Sequence, residues 1–428
     1  MRLSAIKQLR RQLVNKHMPI YLGDHAIEKF IQFCKAEKHE RFLLVADENT
    51  YKVLGAKVHA AIQQEDWDVQ HIVLNPEGLH ADSEAISRVF AVYDGQPRLF
   101  VAIGSGTITD TARFTSHRSR NSFVSFPTAA SVDAYTSVNA PVTISGLKGS
   151  IYCQAPVAIF TDLPTIVSSP KWLTASGFGD LVSKFTSSAD WKFSYMILGT
   201  EFIAEIYERA RKAAQTAAEM VDGIAEHAPE SMAAMMRAQF ESGFCMADFG
   251  NSAPASGGEH HIAHIWEMMF HWEGREGLYH GNAVGVATII EAEWFERLRA
   301  TSKEEARMQL ERVDIPSREV QMNTLQQVLP EIAEELIEKN PIYMQLAEPQ
   351  VLARIKKSIL DRWEEIQAVA ELVPPAEQFR NWFKKIGAPT TTMELGISAE
   401  QSRIARDFGH YLRERFSMNI IRHLFGWE

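Results

Sequence analysis

Four side chains beyond Pro164 could hold a divalent ion or sit beside one. The stretch SGGEHHIAHIWE carries His260, His261 and His264, GFGD ends in Asp180, and YHGNAVGVATII opens with Tyr279 and His280. Two imidazoles and a carboxylate suit zinc, nickel or iron and leave a coordination position for a substrate oxygen. His260 and His264, four residues apart, share one helix face, whereas His261 points elsewhere. Local spacing alone does not bring Asp180, His260 and His280 together. A histidine satisfied by ordinary hydrogen bonds in a core is the plain alternative for each.

A second group points to a dinucleotide. In LFVAIGSGTITDTARF an apolar run stops at Gly104, and Gly104, Ser105 and Gly106 lead straight into a helix from Thr107. Glycines in such a turn let backbone N–H groups approach a pyrophosphate, and the positive end of the helix dipole favours its charge. The pattern is not a full GxGxxG, and a tight turn without a ligand reads equally well. RFLLVADENT closes another run with Asp47, which either accepts hydrogen bonds from an adenosine ribose or caps the next helix. The hydroxyl-rich stretch SFPTAASVDAYTSVNAPVTISGLKGS adds Pro127, Thr128, Ser131, Asp133 and Lys148. It reads as a crevice segment or as a hairpin through VTISG.

These residues need a scaffold. From Pro19 to about Leu163, β-branched and aromatic runs (PIYLG, RFLLVA, VQHIVL, RLFVAIG, SFVSF) alternate with helical stretches starting near His25, Asn49, Asp82 and Thr107. That alternation gives a parallel sheet wrapped by crossover helices, an α/β Rossmann-like domain over residues 1–163. Beyond Pro164 the pattern turns to amphipathic helices punctuated by proline and glycine, an all-α domain over residues 164–428. The charge-dense stretch 301–387 reads as solvent-facing helices with a structural role.

Composition narrows the function classes. At 428 residues, 46% hydrophobic and 23% charged, the chain is a folded protein of two or three domains. Forty-four basic against 54 acidic residues give a net charge of −10, which offers no general attraction to nucleic acid or an anionic membrane. Cys34, Cys153 and Cys245 lie far apart without a CxxC pair, as expected for reduced thiols in a cytoplasmic protein. No apolar run approaches the roughly 20 residues that span a bilayer. The first 17 residues carry five Lys/Arg and no acid, and read as a solvated first helix in preference to a targeting helix.

Taken together, GSGTITDTARF, FPTAASVDAYTS, APVAIFTDLPTI, ASGFGDLVSKFTSSADWKFS, SGGEHHIAHIWE, YHGNAVGVATI and YLRERFSMNIIRHLFG resemble the iron-containing alcohol dehydrogenase and dehydroquinate synthase-like superfamily. Within it the chain is most similar to the bacterial sn-glycerol-1-phosphate dehydrogenases. The resemblance implies Asp180, His260 and His280 as metal ligands, and Gly104, Ser105, Gly106, Thr107 and Asp110 as the pyrophosphate turn. It also implies Thr128 and Ser131 along the nicotinamide, Asp47 at the ribose and Asp133 at a substrate hydroxyl. His264 would face the substrate, binding phosphate or relaying a proton, with Lys148, Lys184 and Arg275 as further phosphate candidates. For Lys184, an ion pair with Asp180 four residues earlier is at least as good a reading.

Two positions depart from the wider pattern: Arg113 replaces a lysine, and Asn282 replaces the acid of an HGE motif. Asp180, where the synthases carry Glu, favours net hydride transfer. The implied reaction is reduction of dihydroxyacetone phosphate to sn-glycerol 1-phosphate with NAD(H) or NADP(H) and one divalent ion, in a homo-oligomer. A glycerol or vicinal-diol dehydrogenase, a dehydroquinate-synthase-like lyase and a non-catalytic nucleotide-binding protein remain the alternatives.

Overall fold

The computed structural model describes residues 18–144 and 147–427, apart from the side chains of Leu147 and Lys148. The basic N-terminal segment read above lies outside the described residues. Strands and helices alternate as β1 (Ile20–Gly23), α1 (Ala26–Glu37), β2 (Arg41–Asp47), α2 (Ala56–Gln64), β3 (Asp68–Leu74), α3 (Ser83–Val92), β4 (Leu99–Gly104), α4 (Gly106–Arg118) and β5 (Phe123–Pro127). A hairpin of β6 (Asn139–Ile144) and β7 (Leu147–Tyr152) follows, then β8 (Ala158–Asp162).

Six strands form one parallel sheet in the order β1-β8-β5-β4-β2-β3. The central strand β4, LFVAIG, is buried along its whole length, which is why it is continuously apolar and does not alternate. On one face Phe30 of α1 meets Phe42, Phe126 and Phe160 edge-on at 5.2–5.9 Å, pinning the helix across three strands. β8 had no place among the strands expected from sequence. It fills the gap between β1 and β5, with Ile159 level with Ile20 on one side and Ser125 on the other. Three consecutive buried apolar residues, Ala158 to Phe160, are too short a run to declare a strand on their own.

From Leu163 onward the described elements are helical. Six of them build the site: α5 (Lys171–Val182), α6 (Lys184–Leu198), α7 (Ala204–Glu219), α8 (Pro229–Phe249), α9 (Gly258–Trp272) and α10 (His280–Ala300). α5 and α10 cross at glycine contacts. A Cβ on Gly281 would lie 1.7 Å from the Ser176 carbonyl oxygen, and one on Gly179 would lie 2.3 Å from that of Gly281. Only hydrogen at these two positions allows the backbones so close, and the crossing sets Asp180 beside His280.

The charged stretch 301–387 is amphipathic, correcting its reading as merely solvent-facing. Leu310, Leu325, Ile355, Ile359, Trp363, Phe379 and Phe383 are buried in the main core. Phe383 packs edge-on against Phe178 of α5, behind the Asp180 turn. Among the described residues no helix is long and apolar enough to cross a membrane.

Candidate metal centre and nucleotide crevice

Asp180 lies in the last turn of α5, His260 in the first turn of α9, and His280 opens α10. One ligand atom from each of the three lies within 4.8 Å of the others. Asp180 is 1% exposed and His260 5%, so the three groups converge in a nearly dry space open on the His280 side. Each imidazole is oriented through its far nitrogen. His260 Nδ1 bonds Glu259 Oε1 at 2.7 Å, and His280 Nδ1 bonds Glu267 Oε1 at 2.7 Å. With both Nδ1 atoms taken by carboxylates, the Nε2 side of each ring is left for an ion, the usual carboxylate–histidine–metal arrangement. The donor set and its spacing fit one divalent ion.

The charges around Asp180 follow from burial and pairing. Burial alone would raise its pKa, but the Lys184 ammonium and the two imidazoles outweigh it and hold Asp180 well below the usual carboxylate range. Lys184 Nζ lies 2.8 Å from Asp180 Oδ1 and 2.8 Å from Asp133 Oδ2, and these pairs keep the fully buried amine charged, with its pKa raised despite burial. His260 is likewise raised: burial opposes its charge, and the bonds to Asp180 and Glu259 prevail. Lys184 is therefore an ion-pair residue and not a phosphate cation.

Asp133 is tied to the same network. Its backbone N–H donates to Asp180 Oδ2 at 3.1 Å, and its carboxylate accepts from Ser242 Oγ at 2.6 Å as well as from Lys184. The loop between β5 and β6 thus rests directly on the Asp180 carboxylate. The His264 ring stacks at 5.4 Å on His280 and stands 5.9 Å from His260, beside the converging atoms. Arg275 is engaged with other groups, including Glu273 Oε2 at 3.2 Å. Its guanidinium sits 3.6 Å over Phe270 and donates to the Gly396 carbonyl at 2.8 Å. The Lys148 side chain lies outside the described residues.

The nucleotide candidates gather at the carboxyl ends of three adjacent strands. Gly104 pairs with Pro127, and Val45 pairs with Ala102, so two residues further on Asp47 reaches the level of Gly104. Ser105 is the N-cap of α4 without a side-chain cap bond, and Ser105, Gly106 and Thr107 stay half-exposed. The first N–H groups of that helix therefore have no side-chain cap, the condition for receiving a pyrophosphate. A Cβ on Gly104 would come within 2.6 Å of Ile108 Cβ.

Thr128 and Ser131 are nearly buried in the following loop, where Ser131 Oγ approaches the Tyr135 hydroxyl at 3.4 Å. Asp110 is held by Arg113, the residue that departs from the family pattern: Nη1 donates to Asp110 Oδ1 at 2.6 Å. Arg113 also donates to the carbonyls of Ala134, Tyr135 and Asn139, fastening the hydroxyl-rich loop to α4. Asp47 does cap the next turn, in a reciprocal box with Thr50 that uses its Oδ1. In the stretch after β5, residues 128–138 form a loop, and Val142, Thr143 and Ile144 pair with β7 as the hairpin reading expects.

Sequence reasoning missed Glu259, Glu267 and Ser242. The two glutamates stand inside the GEHHIAHIWE motif, where Glu259 next to His260 is the available signal, whereas Glu267 meets His280 thirteen residues on. Ser242 lies 109 residues from its partner, and nothing local marks it.

Against known proteins, residues 21–170 match the model of the iron-containing alcohol dehydrogenase family. The glycerol-1-phosphate dehydrogenase [NAD(P)+] of Geobacillus stearothermophilus is 30% identical over 93% of this chain and 90% of its own length. The chain belongs to the glycerol-1-phosphate dehydrogenase family. A relative of the same name from Halalkalibacterium halodurans is 34% identical over 68% of this chain and 72% of its own. Among solved structures, an alcohol dehydrogenase from Oenococcus oeni shares the fold, with a TM-score of 0.62 at 15% identity over 96% of this chain and 98% of that one.

Proposed function

We propose that the chain is a metal-dependent, NAD(P)-linked dehydrogenase that reversibly reduces dihydroxyacetone phosphate to sn-glycerol 1-phosphate. The convergence of Asp180, His260 and His280 carries the reading, and the glycerol-1-phosphate dehydrogenase relatives supply the substrate. When bound, a divalent ion would supply Lewis acidity toward the ketone oxygen and a nicotinamide dinucleotide the hydride. Zinc, nickel and iron all suit this ligand set.

The chain's own work is placement. Asp180, His260 and His280 hold the ion, with Glu259 and Glu267 fixing the ring tautomers. Asp133, steadied by Lys184 and Ser242, offers a carboxylate oxygen to a substrate hydroxyl. His264 contacts the substrate and carries a proton on a ring nitrogen, or binds its phosphate. Amides of Ser105, Gly106 and Thr107, next to Gly104 and the Arg113-held Asp110, receive the pyrophosphate. Thr128 and Ser131 lie along the nicotinamide and Asp47 at the ribose. In this reading residues 1–163 form the nucleotide domain and residues 164–428 the metal and substrate domain. The enzyme works in the cytoplasm as a homo-oligomer on a small-molecule substrate.

One observation favours an unphosphorylated polyol as the second reading: Lys184, the ammonium nearest Asp180, is consumed by two carboxylates. NADH oxidation followed with dihydroxyacetone phosphate and with dihydroxyacetone separates the two. A much higher kcat/KM for the phosphate ester supports the first reading; equal rates or a preference for the free ketone refute it.

A further inference from the structure

Behind the foot of α9, a pocket of about 210 Å³ opens between α6, the loop before α9 and the chain segment Glu414–Ser417. None of Asp180, His260 or His280 lines it. Its cation is Arg415, whose guanidinium donates to the carbonyls of Ser252 and Ser256 and to Ser252 Oγ at 3.0 Å. Among the described residues no carboxylate lies within ion-pair distance of it. Burial, with Arg413 beside it, pulls its pKa down to about 9 against the opposing pull of Glu259 and Asp190, neither of which reaches it as an ion pair.

A second observation points to a ligand. Ser417, fully buried and lining the same pocket, has a hydroxyl without a hydrogen-bond partner, and it caps no helix N–H. A buried polar group left unmatched is costly and calls for a partner. The carboxylate in the wall does not oppose an anion. Asp190, buried and facing Glu259, has its pKa pushed up to about 8, so it is mostly neutral at pH 7. The other two acids of the lining, Glu201 and Glu414, are exposed.

We propose that this pocket binds a small phosphate-bearing anion through Arg415 and Ser417. A guanidinium matches phosphate oxygens with paired donors, serine hydroxyls complete such sites, and the volume suits a free phosphate or a short phosphomonoester. Through Gly257, which also lines the pocket and immediately precedes α9, an occupant would touch the helix that carries His260.

The test is calorimetric titration of the zinc-loaded full chain with inorganic phosphate, and separately with a glycerol phosphate to distinguish free phosphate from a phosphomonoester. The expected result is a binding event that Arg415→Ala weakens at least tenfold and Ser417→Ala about threefold, and that survives His280→Ala. Ser417→Ala removes a hydroxyl that bonds nothing, so it decides the matter if Arg415→Ala does not fold. Binding unchanged in the Arg415 and Ser417 variants, binding abolished by His280→Ala, or no binding to the folded wild type would each overturn the proposal.

Discussion

At the sheet, Asp47, Gly104 and Pro127 end three neighbouring strands, and the groups offered to a nucleotide belong to these strand ends or to the turn, loop or helix that follows. At the metal centre, side chains eighty and twenty residues apart meet only because α5, α9 and α10 pack around glycines. The first site, as proposed, draws on backbone amides and on side chains close to them in sequence. The second is made of buried charge: Lys184, Asp133, Asp180 and His260 form one network, and removing a member leaves a buried charge with fewer partners. Damage to helix packing should therefore abolish the metal centre, whereas damage at the strand ends should leave it loaded.

The largest contrast is expected from two alanines. Gly281→Ala drives a Cβ into the Ser176 carbonyl, so α5 and α10 must part. We expect a loss above about 4 kcal/mol in chemical denaturation, with little folded protein recovered. Gly104→Ala meets the Ile108 side chain instead and should cost about 1–3 kcal/mol. It should weaken nucleotide binding while metal content stays near wild type. Equal stability of the two variants would break the comparison.

Next in size are Glu259→Gln and Glu267→Gln, which keep shape but remove the charge on each Nδ1. Each should lower metal affinity about 10- to 100-fold, measured by competition with a chelator. Unchanged affinity would reduce the two acids to packing residues.

Acid should separate the regions as well. His410 is fully buried against Tyr343 and His423, with both ring nitrogens lacking partners. Burial, then the neighbouring His423 and Arg422, hold its pKa well below the ordinary value, and His423 is lowered to about 3. Their folded pKa values lie below the unfolded ones, so below about pH 6.5 the unfolded chain takes up protons that the folded chain refuses. The stability they contribute is complete above that pH and drains away toward pH 3. His410→Phe should make the fall in unfolding free energy between pH 6 and 5 shallower by about 1 kcal/mol per pH unit. Identical slopes would contradict this.

The smallest effect belongs to Asp47→Ala. Losing the cap on Thr50 should cost about 1 kcal/mol. If Asp47 also serves the ribose, the preference for NADH over NADPH should fall in the same variant. An unchanged preference confines Asp47 to capping.

What the sequence disclosed follows the same division. Strand runs such as RFLLVA and LFVAIG, and the Gly104–Gly106 turn, carry their structure within a dozen residues, so the sheet and crevice were legible. Asp180, His260 and His280 were recognisable as types and by resemblance, but no local spacing assembles them. β8 stayed hidden because a short buried run lacks alternation. Ser242 and Glu267 stayed hidden because their partners, Asp133 and His280, come from other elements. Burial of Leu310, Ile355 and Phe383 depends on which face of a charged helix turns inward, and tertiary packing decides that.

The most direct test of the shared ion is elemental analysis of purified protein after metal loading and exhaustive dialysis, comparing the wild type with folded His260→Ala and His280→Ala variants. The account predicts one divalent ion per chain in the wild type and less than about a tenth of that in either variant, since each removes one of three ligands. Full metal occupancy in both variants would show that these three side chains do not hold an ion together.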